Sequence, residues 1–326
     1  MTSNSSLLRK ADLAIEDLRQ DGGELNPEQG ASFIRKMIKQ PTLIRRCRIV
    51  EMSASKRKIN KIGFGKRILR KATSGVALTA AQRSKPTTEQ IELNTKEQIA
   101  EVRLPYDVLE DNIERALAAN NEGSNTGPGG LRQTIIDLIA ERSALDTEEL
   151  GLLSDEDFTN PADPDEEEFL SQGDGWLKIG ETEGNVYDAA DQTVSKRLFK
   201  NGLKTMPVQY QRNKPAINHF VSVNQETEYR DTLADRGTGL GDNMVQGTAP
   251  VYAYGSPVTP VALMPEDRGL YTDPLNLIFG IQRQVSMEFD KDITARVYII
   301  VLTMRIDFQI EEADAAVVYE NVATAD

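Results

Sequence analysis

The length and composition of the chain narrow the classes of protein to which it can belong. Its 326 residues are enough for two domains, and the single cysteine, Cys47, excludes an intrachain disulfide and a zinc site built from cysteines. A net charge of −13 argues against general nucleic-acid binding, which needs a positively charged surface. No stretch approaches the roughly 18 consecutive apolar residues of a membrane helix, and the N-terminus has no signal-peptide core. We therefore expect synthesis in a reducing cytoplasm.

The N-terminal region predicts two short amphipathic helices. Apolar residues recur at near-helical spacing from Ser5 to Gln20, and again in the stretch from Asn26 to Pro41. The apolar face of the second helix consists of Phe33, Ile34, Met37 and Ile38. Neither helix can bury its stripe alone, so we interpret the two as an arm rather than a domain.

A long, weakly apolar hairpin is predicted from Ile44 to Leu104, with a return strand from Gln90 to Leu104. Glu51 is the only acidic residue between Arg35 and Lys71. Long segments of this kind are uncommon inside compact domains and are usually functional or held by a partner. We expect the order of this hairpin to depend on neighbouring molecules.

The middle of the chain predicts helices and loops. Pro105 opens a short helix to about Ala119, and a linker follows from Asn120 to Gly130. The longest predicted helix, Leu131 to Leu153, would be roughly 30–35 Å long, with Glu148 among the polar residues that cover its outer sides. The segment from Thr159 to Asp174 is predicted as an acidic loop interrupted by proline.

The second half predicts an α/β block. A helix is predicted near Val186 to Asn201, a strand from His219 to Ser222 and another helix from Asn224 to Arg236. A glycine-rich turn, Gly237 to Gly241, and short strands between Tyr252 and Met264 follow.

The clearest pattern lies near the C-terminus, where apolar and polar residues alternate in two runs. These runs, Phe279 to Phe289 and Leu302 to Ile310, predict strands with one buried face each. The short polar link Asp290-Lys291-Asp292 predicts antiparallel pairing. The run Val297 to Leu302 is apolar on both faces, so we expect it in the middle of a sheet.

No pattern predicts a catalytic, cofactor-binding or metal-binding residue. His219, the only histidine, is the residue on which a Ser-His or Cys-His dyad would depend, and its position favours a structural role at a strand start. Gly63 to Arg67 lacks the spacing of a phosphate loop, and Gly237 to Gly241 follows a helix rather than a strand. The acidic run Asp155 to Glu168 lacks the glycine of a calcium loop, and the basic run Arg45 to Lys71 has almost no aromatic residue for base stacking.

Taken in order, these segments resemble the HK97-fold major capsid protein family of tailed bacteriophages. The resemblance covers nearly the whole chain and depends on the order of the stretches. They are Ser55–Thr79, Ser84–Glu114, Leu131–Leu152, Glu228–Asp242, Asp273–Ile293 and Arg305–Tyr319.

The resemblance implies an α+β fold with the parts of that family. These are an N-terminal arm (1–45), an E-loop hairpin (46–104), a P-domain (105–174) with a spine helix (131–153), an A-domain (175–274) and long terminal strands shared by both domains (275–326). It also implies that the hairpin lies over a neighbouring copy, and the acidic region Glu141 to Glu168 is a candidate partner surface there. Some relatives join a Lys to an Asn covalently, but we do not predict such a crosslink, although Lys66 and Asn276 are available.

The implied function is that of a non-enzymatic shell protein. Copies would assemble into hexamers and pentamers that form the icosahedral head of a tailed virus around double-stranded DNA. A portal protein at one vertex, a scaffold, a maturation protease and decoration proteins are further partners that the resemblance suggests, with assembly in the host cytoplasm. Two alternatives stay open: an encapsulin, which is a cellular compartment shell of the same fold, and a soluble α/β enzyme that uses His219.

Overall fold

The computed structural model describes residues 41–64, 67–69, 71, 77–79, 82–105, 131–234, 250–282 and 286–323. Three predicted regions lie outside the described residues. They are the two N-terminal helices, the helix and linker between Pro105 and Gly130, and the glycine-rich turn Gly237 to Gly241.

The described residues form strands and helices in the following order. The strands are β1 (Arg48–Met52), β2 (Lys56–Gly63), β3 (Thr87–Asn94), β4 (Lys96–Pro105), β5 (Asn185–Gln192), β6 (Asn218–Val221), β7 (Val251–Ala253), β8 (Ser256–Pro260), β9 (Gly269–Thr272), β10 (Leu277–Gln282), β11 (Ser286–Asp292), β12 (Val297–Ile310) and β13 (Val317–Val322). The α-helices are α1 (Leu131–Leu153), α2 (Pro164–Leu170), α3 (Trp176–Glu183), α4 (Lys196–Thr205) and α5 (Val223–Ala234).

The first sheet is organised around β12. This strand pairs antiparallel with β10 and β11 along one edge and with β4 along the other, and β1 pairs parallel with β10. The central position predicted for Val297 to Leu302 is confirmed. The predicted link is wrong, because Asp290 to Asp292 belong to β11 and the turn is formed by Ile293 to Arg296. Strand pairing uses backbone groups, so polar side chains do not end a strand by themselves.

The second sheet has the order β5-β13-β9-β6-β8-β7. The strand predicted at His219, the helix predicted from Asn224 and the short strands near Tyr252 are confirmed as β6, α5, β7 and β8. The helix predicted from Val186 to Asn201 is wrong in its first half: β5 extends to Gln192, and α4 begins only at Lys196. Parallel pairing with β13, which lies far away in the sequence, overrides the local helical spacing.

The predicted long helix is confirmed as α1, which packs on one face of the first sheet. The loop predicted from Thr159 to Asp174 is wrong in its middle, where α2 forms. Its N-cap residue is Asp163, whose carboxylate accepts a hydrogen bond from the Glu166 backbone N–H at 3.2 Å, and Pro164 occupies the first turn. Acidic residues in this first turn interact favourably with the positive end of the helix dipole.

The hairpin β2–β3 forms a separate two-stranded sheet on the opposite face of the first sheet from α1. Successive residues of β10 show this division. Leu277 and Phe279 pack in the main core with Ala140 and Ala144 of α1, whereas Ile278 packs in a small cluster at the base of the hairpin. The other members of that cluster are Val50, Met52, Leu93 and the partly buried Ile59.

Candidate inter-subunit surface

The hairpin has one cationic strand, β2, and an exposed apolar end, and Lys56 and Lys58 of β2 form ion pairs with Glu92 of β3 at 3.8 and 3.3 Å. The stretch from Met52 to Thr88 contains Lys and Arg but no Asp or Glu. The side chains of Lys56 and Lys58 are 65% and 58% exposed, and at the far end Leu69 is 93% exposed. Exposed apolar groups next to cations are typical of a surface that another protein covers.

The base of the hairpin is anchored to the first sheet by polar contacts as well as by the small apolar cluster. The backbone N–H of Asn94 donates to the Asp307 carboxylate at 2.6 Å. Lys61 forms ion pairs with Glu312 and, at 3.5 Å, with Glu89. Burial alone would lower the pKa of Lys61, but the hydrogen bond and charge of Glu312, with those of Glu89, outweigh it and raise this pKa. The chain thus fixes the base of the hairpin and leaves its far part for contacts elsewhere.

Asp307 is the most perturbed carboxyl group at this base. Burial raises the pKa of its side chain to about 6, although hydrogen bonds from the backbone N–H groups of Asn94 and Phe308 and the charge of Lys96 lower it. Its usual value is 3.8. Because the folded-state pKa is the higher one, the folded protein binds more protons between these values, and its free energy of unfolding falls as pH rises through this window.

Replacing Asp307 with Asn is expected to flatten this pH dependence and to raise the free energy of unfolding at pH 7.5 by about 2 kcal/mol. The amide oxygen can still accept the Asn94 N–H, and the cost of holding a half-buried charge is removed. Urea unfolding at pH 4.5, 6 and 7.5 measures the effect. Asp231→Asn, on the exposed side of α5, is the matched control, and equal pH slopes in the two variants would contradict the assignment.

A second anchor lies on α1 and was missed from the sequence. Glu148 is only 2% exposed, so its predicted place on an outer side of the helix is wrong. Its carboxylate accepts hydrogen bonds from the Thr42 and Leu43 backbone N–H groups, both at 2.9 Å, and from the Thr42 hydroxyl at 2.8 Å. These bonds fix the beginning of the described chain to α1, and no local pattern distinguishes Glu148 from Glu149 in the sequence.

His219 lies inside the core of the second sheet. Its ring is fully buried, stacks on Tyr271 with centroids 4.1 Å apart, and its Nδ1 is 2.9 Å from the Tyr319 hydroxyl. Burial lowers the pKa of His219 to about 3, so the ring is neutral at physiological pH. Nε2 has no hydrogen-bond partner within the described part of the chain. A ring sealed in this way cannot reach a substrate, so the dyad hypothesis has no geometric support.

The remaining candidates of the sequence analysis have structural roles or lie partly outside the described ranges. Gly63 ends β2, and residues 65 and 66 are not described. Within the acidic run, Asp155 forms an ion pair with Lys178 at 2.8 Å. The described residues contain no group of three or more His, Cys, Asp or Glu arranged to hold a metal ion. Asn276 is buried, and its amide donates to the Glu312 carbonyl at 2.9 Å.

Solved structures with the same architecture are shells. The chain superposes on a chain of the satellite phage P4 procapsid with a TM-score of 0.68 at 15% identity, covering 100% of this chain and 99% of that one. It also resembles the SrpI encapsulin of Synechococcus elongatus, with a TM-score of 0.51 at 11% identity and coverage of 87% and 88%. At these identities the likeness establishes the fold, which is the HK97 capsid fold. No protein-family model matches the chain.

The sequence relationship is closer for a protein of Bacillus subtilis strain 168 named "Putative prophage capsid protein YqbE". The two chains are 39% identical over 324 residues, and the match covers 96% of each. The chain therefore belongs to the HK97-fold major capsid protein family of tailed phages, and its place is the capsid shell of a virion. Among the described helices, none has the length and apolar character of a membrane span.

Proposed function

We propose that copies of this chain assemble into hexamers and pentamers that form an icosahedral head around double-stranded DNA. The observation that carries this proposal is the hairpin, whose base is fixed to the first sheet while its cations and far apolar residues are exposed. Repeated contacts between identical copies bury such surfaces at every position of a closed shell.

We propose that the chain is divided into five parts with the roles that the family resemblance implies. Their limits are 1–45, 46–104, 105–174, 175–274 and 275–326. In this division the hairpin lies over a neighbour. We do not retain the acidic region Glu141 to Glu168 as its partner surface, because the hairpin and α1 lie on opposite faces of the first sheet. If every copy in the shell turns the same face outward, the hairpin of one copy meets the face of its neighbour that carries the neighbour's own hairpin. It does not meet the face that carries α1. A portal vertex, a scaffold, a protease, decoration proteins and assembly in the host cytoplasm complete the proposal.

Electron microscopy of purified particles, combined with nuclease digestion, tests the function. Closed shells that protect double-stranded DNA and carry one tail-bearing vertex are expected. Closed shells around a cellular enzyme, without protected DNA, would establish the encapsulin alternative instead. A chain that stays monomeric at high concentration would contradict both.

Reversing two exposed hairpin charges, Lys56→Glu with Lys58→Glu, is expected to raise the concentration needed for assembly by at least about tenfold. Exposed ion pairs contribute only about 0–1 kcal/mol each, but each is repeated in every copy of the shell. Sedimentation measures assembly, and circular dichroism measures folding. Lys200→Glu with Lys204→Glu, on exposed positions of α4, makes the same charge change elsewhere. If the two double substitutions impair assembly equally, the hairpin has no special role in assembly.

A further inference from the structure

The outer face of α1 carries apolar residues that nothing in the described part of the chain covers. Leu138 is 60% exposed and Leu145 is 39% exposed, with Glu141 and Arg142 exposed between them. These four positions follow the i, i+3, i+4, i+7 spacing of one helical face. The opposite side of α1 is already buried in the main core. A second apolar stripe on the same helix predicts a second packing partner.

The charges around this stripe indicate a cationic partner. Glu149 lies one turn beyond Leu145, and the acidic helix α2 packs against α1 nearby. Arg142 pairs with Asp146 at 2.9 Å. Within the described residues, no Lys or Arg forms an ion pair with Glu141, Glu149 or the carboxylates of α2. The hairpin of the same chain cannot supply these cations, since the first sheet separates it from α1.

The described chain begins beside this face. Thr42 and Leu43 are bound to Glu148, which follows Leu145 by less than one helical turn. The stretch that precedes this anchor, residues 26–40, is the one for which the sequence predicts a helix with an apolar face. Its cations are Arg35, Lys36 and Lys39, and its only acidic residue is Glu28.

We propose that residues 26–40 dock along the outer face of α1 in their own chain. Their apolar residues cover Leu138 and Leu145, and their cations lie beside Glu141 and Glu149. The lengths agree, since Leu138 is about 15 Å from Glu148 along the helix axis, and fifteen residues span about 22 Å if helical. Docking in the same chain follows from the anchor at Glu148, which brings the stretch to this face at a high effective concentration.

Disulfide trapping in unassembled full-length subunits tests this docking without depending on shell formation. Met37→Cys with Leu145→Cys is expected to form an intrachain disulfide on mild oxidation, seen as a faster band in non-reducing electrophoresis. The native Cys47 is buried, and burial raises its pKa to about 12, so it does not compete. The control pair, Met37→Cys with Ile293→Cys, should form none. A disulfide between two copies, or equal reaction of both pairs, would overturn the proposal.

A second measurement does not require new cysteines. Leu138→Ser with Leu145→Ser is expected to speed trypsin cleavage after Arg35, Lys36 and Lys39 about tenfold, because the stretch is released more often. Leu275→Ser with Ile293→Ser changes two exposed apolar residues outside α1 and should leave the rate unchanged. Equal cleavage rates in the two variants and the wild type would overturn the docking.

Discussion

Replacing Glu148 with Ala is expected to lower the free energy of unfolding by about 4 kcal/mol. The substitution removes the acceptor of three hydrogen bonds, from two backbone N–H groups and the Thr42 hydroxyl. Glu148 is 2% exposed and the bond from Leu43 is buried, whereas Thr42 lies at the surface. Buried donors left without partners cost about 1–3 kcal/mol each, partly offset when residues 42–44 shift towards solvent. The urea midpoint of the unassembled protein measures this loss.

The matched controls for this prediction lie on the same helix and at the same site. Glu141→Ala removes an exposed carboxylate from α1 and is expected to change the free energy of unfolding by less than about 0.5 kcal/mol. Glu148→Gln keeps one acceptor oxygen and should fall between the wild type and Glu148→Ala. If Glu141→Ala and Glu148→Ala lose the same stability, the three hydrogen bonds do not anchor the chain.

Replacing Gly202 with Ala is expected to destabilise the fold by about 3 kcal/mol, although Ala is favoured over Gly inside helices by about 1 kcal/mol. Gly202 lies on the buried side of α4, and an added Cβ would overlap the ring of Tyr319. That ring is 1% exposed, and its hydroxyl is within hydrogen-bond distance of His219. Neither the ring nor the helix can move without disturbing the second core. Thermal or urea unfolding measures the loss.

A double-mutant cycle separates this steric effect from a general effect of the substitution. Tyr319→Leu removes the overlapping ring, so Gly202→Ala should cost much less in its presence than in the wild type. Lys200→Ala, exposed on the same helix, should be close to neutral. Additive losses of Gly202→Ala and Tyr319→Leu would show that the two residues do not meet.

The pattern of residues within a segment was sufficient to predict those elements whose residue spacing is typical of a helix or a strand. The helix Leu131–Leu153 and the strands around Phe279 and Leu302 follow from the spacing of their apolar residues, many of which lie in the main core. The exposed hairpin follows from its many cations and few apolar residues. The structural role predicted for His219 was also available from its place at a strand start, and the residue is fully buried in a core.

The sequence by itself determined the order of the parts, the extended hairpin, the long helix and the alternating terminal strands, since these depend on residues close together in the chain. Only the tertiary structure decided that Asn185–Gln192 is a strand, that Glu148 is buried and that the hairpin lies across the first sheet from α1. Each of these depends on a partner more than a hundred residues away, at Val317–Val322, at Thr42 and at Ile278. The spacing of residues within one segment does not reveal such a partner, because the stabilising contact forms only when the two distant segments pack together.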